Sequence, residues 1–237
     1  MKIAVYCGSR EGNDPKYMKA ARELGTWIGK SGHTLVYGAG CVGIMGAVSQ
    51  AVQESGGHII GVIPQFMVDH GWEKKDLQRI REDELPGIEA AWARETAAED
   101  SFARAAGETC AAASPAGPAG EPAAASGEEN AAVPADVLLI TSSMSTRKAK
   151  MMELADVYVA LPGGPGTLEE ITEVISLAAV QQHEKPCILL NQDGYYDPLR
   201  RMYDRMLEQE FTEGANLTRM YYAADVGEIV RIAQTAK

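Results

Sequence analysis

A glycine-rich turn followed at once by acidic residues occupies the segment "ALPGGPGTLEEITEV", residues 160–174. Gly163, Gly164 and Gly166 allow the backbone to curl so that several N–H groups converge, and a helix predicted to begin near Thr167 adds the positive end of its dipole. These features predict an anion pocket that suits a phosphate. Because no lysine follows in the pattern G-x-x-x-x-G-K-[ST], the turn does not indicate ATP hydrolysis of the P-loop kind.

The acidic residues after the turn have two interpretations. Thr167 and Glu170 have the spacing of a capping box, in which the glutamate only returns a hydrogen bond to the start of the helix. Alternatively, Glu170 serves a ligand bound at the turn. If a phosphate occupies the turn, Glu170 lies near it and Glu173 lies one helical turn further away.

A basic pair, Arg147 and Lys148 in "SMSTRKAKM", opens the predicted helix that precedes the same strand. Cations are unfavourable near a helix N-terminus, so two of them there favour an anionic ligand. A solvated helix face is the alternative.

An earlier turn, "YGAGCVGIMG", places Gly38, Gly40 and Gly43 in the spacing G-x-G-x-x-G. A dinucleotide fold would carry an acid on the next strand to hold the ribose hydroxyls, but the strand "HIIGVIP" has none. The turn therefore indicates a backbone-mediated site near a nucleotide or phosphate. Tight packing between strand and helix is an equally good explanation for any one of these glycines.

The elements that position these residues alternate along the chain. Short apolar runs such as "KIAVYC", "HIIGVIP", "DVLLITS" and "CILLNQ" are separated by longer helical patterns. This alternation predicts an α/β fold in three layers, a doubly wound parallel sheet with helices on both faces, in a single domain over residues 1–237. Ligands of such sheets bind outside the carboxyl ends of the strands, where both glycine turns fall.

Residues 86–135 interrupt the alternation with a segment dense in Ala, Pro, Gly and Glu. Such a segment has too little apolar surface to offset its ordering entropy, so we predict a low-complexity, disordered or loosely helical insertion. A short amphipathic helix around Trp92 and Phe102 is compatible with its first part. A partner-binding arm is the alternative to a tolerated surface insertion.

The overall composition narrows the function classes. The net charge of -11 disfavours nonspecific nucleic-acid binding and means that an anionic substrate must be met by a local site. No apolar run approaches the ~18 residues of a membrane span. The four scattered cysteines form no C-x-x-C pair and the four histidines show no ligand spacing. We therefore expect a cytoplasmic protein with reduced thiols, no metal or other cofactor, and no nucleic-acid or membrane partner.

Two of the quoted motifs resemble those of a known family. "SMSTRKAKM" and "ALPGGPGTLEE" resemble M-x-x-R-K and P-G-G-x-G-T-x-x-E of the LONELY GUY (LOG) family, the cytokinin riboside 5'-monophosphate phosphoribohydrolases. "AVYCGSREGN", "LVYGAGCVGIMG" and "KPCILLNQDGYYDPL" are similar in the same order, so the resemblance covers the chain except for the insertion. Ser145 stands where the family commonly has histidine, and Ala39 where it often has glycine.

The resemblance implies a Rossmann-like fold, a homodimer, and a cofactor-free hydrolysis of a nucleoside 5'-monophosphate to free base and ribose 5-phosphate. It carries the catalytic roles to Arg147 and Glu170. Cleavage of an N-glycosidic bond builds positive charge on the ribose, which the implied carboxylate, Glu170, would stabilise. Two roles are open to Arg147, which either binds the phosphate or orders the carboxylate and the ribose hydroxyls. The implied substrate-binding residues are Gly8, Ser9, Gly43, Met45, Lys148, Gly163, Gly164, Gly166 and Thr167. A non-catalytic nucleotide or cofactor carrier on the same fold is the alternative function, although the presence of both catalytic residues favours the enzyme. A lysine decarboxylase would need a pyridoxal phosphate lysine, which no sequence context indicates.

Overall fold

The computed structural model describes residues 1–94 and 135–235. The predicted insertion therefore lies mostly outside the described residues, as does Cys110. The chain separates into two compact units, one formed by Met1–Arg81 and Asp136–Lys237, the other by Glu82–Ala135. In the described part of the second unit, Glu82–Glu84 forms a 3₁₀ turn. The single domain with an insertion stays a prediction.

The first unit is built on an eight-stranded sheet in which every pairing is parallel. The strands are β1 Lys2–Tyr6, β2 Thr34–Tyr37, β3 His58–Pro64, β4 Gln78–Ile80, β5 Asp136–Thr141, β6 Val157–Ala160, β7 Cys187–Leu190 and β8 Met220–Ala223. Their spatial order is β4-β5-β3-β2-β1-β6-β7-β8. The predicted α/β class with a parallel sheet is confirmed, whereas the two short edge strands, β4 and β8, were not predicted.

Helices cover the sheet on both faces. They are α1 Pro15–Lys30, α2 Gly43–Glu54, α3 Gln65–Asp69, α4 Met144–Leu154, α5 Pro165–Ala179, α6 Asp197–Glu208 and α7 Val226–Thr235. Because side chains alternate along a strand, Ile3 and Val5 of β1 point to one face, where they join a core with α1, α2 and α7. Ala4 and Tyr6 point to the opposite face. Helices α4 and α5 pack against β1 on that face. Burial raises the pKa of the Tyr6 phenol, and the nearby charge of Glu170 on α5 raises it further.

The parallel sheet brings the predicted site to one edge. β1 runs into Gly8, β2 into Gly38 and β6 into Gly163, and β5 is followed by the helix that carries Arg147. β1 lies between β2 and β6, which is where the direction of strand winding reverses. In doubly wound sheets this switch point is the usual ligand crevice. No helix within residues 1–94 and 135–235 is long and apolar enough to cross a membrane.

Candidate active site

Helix α5 begins earlier than the sequence pattern suggested. Its first residue is Pro165, a residue preferred at that position, and Gly164 is the N-cap without a side-chain cap. Thr167 is therefore the third helical residue and cannot act as the N-cap of a capping box. The capping-box interpretation of Thr167 and Glu170 is wrong, and the Glu170 carboxylate has a different partner.

That partner is Arg147, which forms a buried ion pair with Glu170. Arg147 Nη1 donates to Glu170 Oε1 at 2.8 Å, and Arg147 Nε donates to the Val62 carbonyl at 3.0 Å. The two residues are only 6% and 8% exposed. Burial raises the pKa of the Glu170 carboxyl, and the positive charge of Arg147 opposes that rise. The structure shows Arg147 bound to the Glu170 carboxylate; its role toward a ligand stays a prediction.

Helix α4, which carries Arg147, is anchored at both ends. At its start, Ser143 and Thr146 form a reciprocal capping box. At its end, Lys185 Nζ and Tyr158 Oη each donate to the Met152 carbonyl at 2.9 Å. Carbonyls in the last turn of a helix have no intrahelical donor, so these side chains supply the missing hydrogen bonds.

The turn after β2 contacts the guanidinium directly. A Cβ atom on Gly38 would collide with Arg147 Nη2, so only glycine lets the arginine lie against this backbone. Gly40 N donates to Met45 Sδ at 3.2 Å. Ala39, between these glycines, adopts a left-handed φ of 59°.

The loop after β1 packs against the start of α2. Met45 N donates to the Gly8 carbonyl at 3.1 Å. Gly43 has a φ of 62°, and a Cβ atom there would lie 2.5 Å from the Ser9 carbonyl carbon and oxygen. The structure thus brings Gly8, Ser9, Gly43 and Met45 together at the switch point, and their contact with a substrate stays a prediction.

The second glycine turn has a packed side and an open side. A Cβ atom on Gly163 would collide with Thr167 Oγ1 and lie 2.9 Å from Gly8 N, so the turns after β6 and β1 touch here. At Gly164 and Gly166 a Cβ atom would meet nothing within 4 Å among the described residues. The first N–H groups of a helix have no intrahelical acceptor, so α5 presents free donors beside this open space.

Lys148, which the resemblance implies as a nucleotide contact, is paired with two acids in the structure. Its Nζ forms ion pairs with Glu169 and, at 3.0 Å, with Glu173. The hydrogen bond to Glu169 is the main reason that the pKa of Lys148 is raised. Of the three acids in "TLEEITE", Glu169 and Glu173 therefore pair with Lys148 in a partly exposed cluster, and Glu170 pairs with Arg147.

Two tyrosines in the loop after β7 bind the second glycine turn. Tyr195 Oη donates to the Gly163 carbonyl at 2.6 Å, and Tyr196 Oη donates to the Leu161 carbonyl at 2.8 Å. The sequence signal was the pair of adjacent hydroxyl-bearing aromatic residues in "DGYYDPL". Nothing in that pattern indicated which backbone groups the hydroxyls reach.

One buried acid near the first turn was missed. Glu73 pairs through its backbone with Gly40, and its side chain is 3% exposed. Lys75 Nζ lies 2.6 Å from Glu73 Oε1, and this hydrogen bond is the main reason that the Glu73 pKa is lowered. The second oxygen, Oε2, has no hydrogen-bond partner among the described residues. A buried carboxylate oxygen without a partner among the described residues therefore lies near the first glycine turn.

The arrangement suits the chemistry of a phosphorylated sugar. Backbone donors lie beside an open space, and a carboxylate on the next helical turn is fixed by a buried arginine. No group of three or more His, Cys, Asp or Glu side chains within residues 1–94 and 135–235 is arranged to hold a metal ion.

Comparisons with known proteins show the family of this chain. The family described as "Possible lysine decarboxylase" matches residues 97–232, and the "SLOG cluster4 family" matches residues 1–78. The cytokinin riboside 5'-monophosphate phosphoribohydrolase LOG of Oryza sativa subsp. japonica is 35% identical over 236 residues, which span 100% of this chain and 69% of that protein. The chain belongs to the LOG family. LOG7 of Arabidopsis thaliana is 33% identical over 230 residues, 97% of this chain and 79% of that protein.

Solved structures share the LOG fold at lower identity. The molybdenum cofactor carrier protein of Chlamydomonas reinhardtii is 18% identical, with a TM-score of 0.53 over 99% of this chain and 96% of that chain. The molybdenum cofactor binding protein of Rippkaea orientalis is 20% identical, with a TM-score of 0.52 over 99% and 95%. At such identity the likeness shows the fold alone.

Proposed function

We propose that this LOG-family chain hydrolyses the N-glycosidic bond of adenosine-type, cytokinin riboside 5'-monophosphates and releases the free base and ribose 5-phosphate. Its LOG relatives in Oryza sativa and Arabidopsis thaliana carry this activity in their names. The observation that carries the proposal is the buried pair of Arg147 and Glu170 beside the N-terminus of α5.

The phosphate binds at the start of α5 through backbone donors. The N–H groups of Gly164, Gly166 and Thr167 face a dianion favourably because they lie at the positive end of the helix dipole. Gly163 brings this turn against Gly8, so the loop after β1 forms the adjoining wall. The rest of that wall comes from Ser9, Gly43 and Met45.

Lys148 makes a further nucleotide contact. An ammonium group has three donors, and Glu169 and Glu173 occupy two of them, which leaves one for a ligand oxygen. Because its charge is already balanced by two acids, backbone donors contribute most of the phosphate affinity.

The chemical step needs a carboxylate next to the anomeric carbon. Arg147 holds Glu170 Oε1, which leaves Oε2 for the substrate. As the C1'–N bond breaks, its electron pair leaves with the base and positive charge builds on the ribose, where Glu170 stabilises it. Water adds its hydroxyl to C1' and its proton passes to Glu170. Glu170 is regenerated when it releases that proton, and the departing base takes up one proton, so each broken bond consumes one water.

Two expectations about the setting belong to the same proposal. A homodimer is expected from the family. Size-exclusion chromatography coupled to light scattering measures the molar mass that tests it. A cytoplasmic location is expected from the scattered thiols, of which Cys7, Cys41 and Cys187 are unpaired.

Incubation with AMP and with isopentenyladenosine 5'-monophosphate tests the function, with ribose 5-phosphate as the measured product. Adenosine, which lacks the phosphate, is the control substrate and should react far more slowly. We expect Glu170→Gln to lower turnover by at least ~100-fold, since it keeps the shape of the side chain but removes the charge. Tight nucleotide binding without ribose 5-phosphate release from the unaltered protein would instead favour the carrier function.

A further inference from the structure

The Tyr195 hydroxyl contacts the second glycine turn, residues 161–167, at the peptide that carries the Gly164 N–H. It donates to the Gly163 carbonyl at 2.6 Å. The next peptide N–H along the chain belongs to Gly164, the N-cap of α5. In a planar trans peptide the C=O and the following N–H point in opposite directions. A hydroxyl that holds the Gly163 carbonyl therefore aims the Gly164 N–H away from Tyr195.

Tyr195 is itself held by contacts outside the turn. Its ring packs edge-on against Tyr17 of α1, with ring centroids 5.9 Å apart, and against Tyr196 at 5.0 Å. Asp193, two residues before Tyr195, forms an ion pair with Lys16 of α1 at 2.8 Å. The hydroxyl is thus positioned by α1 and by the loop after β7 before any ligand arrives.

The neighbouring tyrosine provides an internal comparison. Tyr196 Oη donates to the Leu161 carbonyl at 2.8 Å, which is the same type of bond on the same turn. The residue after Leu161 is Pro162, which has no N–H. Holding the Leu161 carbonyl can support the turn but cannot orient a donor. Only the Tyr195 bond is linked to a group that can face the ligand.

We infer that Tyr195 is a positioning residue that sets the affinity of the site for the phosphoryl group by fixing the Gly163–Gly164 peptide. This rests on the proposed function for the identity of the ligand, a sugar 5-phosphate. The hydroxyl does not touch the reacting atoms. Its loss therefore weakens ground-state binding and leaves the chemical step largely intact.

Calorimetric binding of ribose 5-phosphate to Tyr195→Phe tests the inference. We expect the Kd to rise about three- to tenfold, the range for one lost hydrogen bond. With AMP as substrate, KM should rise by a similar factor while kcat changes less than about twofold. Tyr222→Phe is the matched control, because its hydroxyl lies 3.7 Å from Met220 Sδ on the edge strand β8, and it should change neither constant.

The variant Tyr196→Phe separates positioning from support. Its buried hydroxyl contributes to stability, so we expect a lower Tm with a ribose 5-phosphate Kd close to that of the unaltered protein. An equal rise of the Kd in both variants would overturn the inference, as would an unchanged Kd in Tyr195→Phe or a protein that does not bind ribose 5-phosphate. If Tyr195→Phe weakens binding but no substrate is hydrolysed, the inference stands and the proposed function fails.

Discussion

Helices α4 and α5 meet through two sets of charged side chains that are adjacent in sequence. Arg147 and Glu170 have side chains that are 7% and 10% exposed, and the arginine also binds a strand carbonyl. Lys148, whose side chain is 16% exposed, pairs with Glu169 and Glu173, whose side chains are 53% and 36% exposed. Removing one partner of a buried ion pair destabilises a fold strongly, whereas exposed ion pairs contribute little because water can replace either partner. The first set fixes a geometry, and the second can adapt to a ligand.

Removal of the buried arginine should have the largest effect on stability. We expect Arg147→Met to lower the free energy of unfolding by about 3–5 kcal/mol, because the Glu170 carboxylate and the Val62 carbonyl both lose their donor. Chemical denaturation measures this loss. In the double variant Arg147→Met/Glu170→Leu much of the stability should return, since no unpaired charge remains. A loss below about 1 kcal/mol in the single variant would contradict the comparison.

A smaller perturbation moves the same guanidinium without removing it. Gly38→Ala puts a methyl group where Arg147 Nη2 lies, so we expect a loss of about 1–3 kcal/mol and reduced hydrolysis of AMP. Gly214→Ala is the matched control, since a Cβ atom there meets nothing within 4 Å among the described residues. Equal denaturation midpoints for the two variants would show that the arginine has room to shift.

The buried carboxyl should also give stability a pH dependence. Burial raises the pKa of folded Glu170 above its ordinary value of 4.5, so the folded state binds more protons than the unfolded state. Stability should therefore fall as pH rises from about 4.5 through the raised pKa, and the contribution is constant below that window. Glu170→Gln should lack this slope when both proteins are denatured at several pH values. Parallel curves would contradict the assignment.

The exposed cluster should give the smallest effect on stability. We expect Lys148→Met to change the free energy of unfolding by less than about 1 kcal/mol, because solvent screens these pairs. If Lys148 contacts the nucleotide, KM for AMP should rise in this variant. Glu169→Gln, which frees a donor of the same lysine, should lower KM or leave it unchanged. A rise of KM in Glu169→Gln would show that the cluster acts as a unit.

Central features of this fold could be predicted from the sequence, whereas edges and long-range contacts could not. Apolar runs such as "DVYVAL" predict buried parallel strands because both faces of the strand are covered. β4 contains only Gln78, Arg79 and Ile80, and so short and polar a segment carries no strand signal. The capping-box interpretation failed because Thr167 and Glu170 match a local spacing, while Pro165 and the ion pair with Arg147 determine where the helix begins and what the acid binds.

The candidate site divides in the same way. Motif spacing indicated the glycine turns, Arg147 and Glu170, since each belongs to a contiguous pattern. The hydroxyl of Tyr195 and the burial of Glu73 depend on loops that approach from elsewhere in the chain. No local composition rule reports such an approach.

The contacts at both ends of α4 link the position of Arg147 to residues far from the site. The 11-residue helix is about 16 Å long at 1.5 Å per residue. Lys185 and Tyr158 hydrogen-bond its last turn, at the end far from Arg147. We expect the helix to move as a stiff body, so loss of the contacts at its far end should shift Arg147 near its start. Random mutagenesis for altered catalysis should therefore recover substitutions on the amino-terminal side of the sheet, at positions that no inspection of the crevice would select.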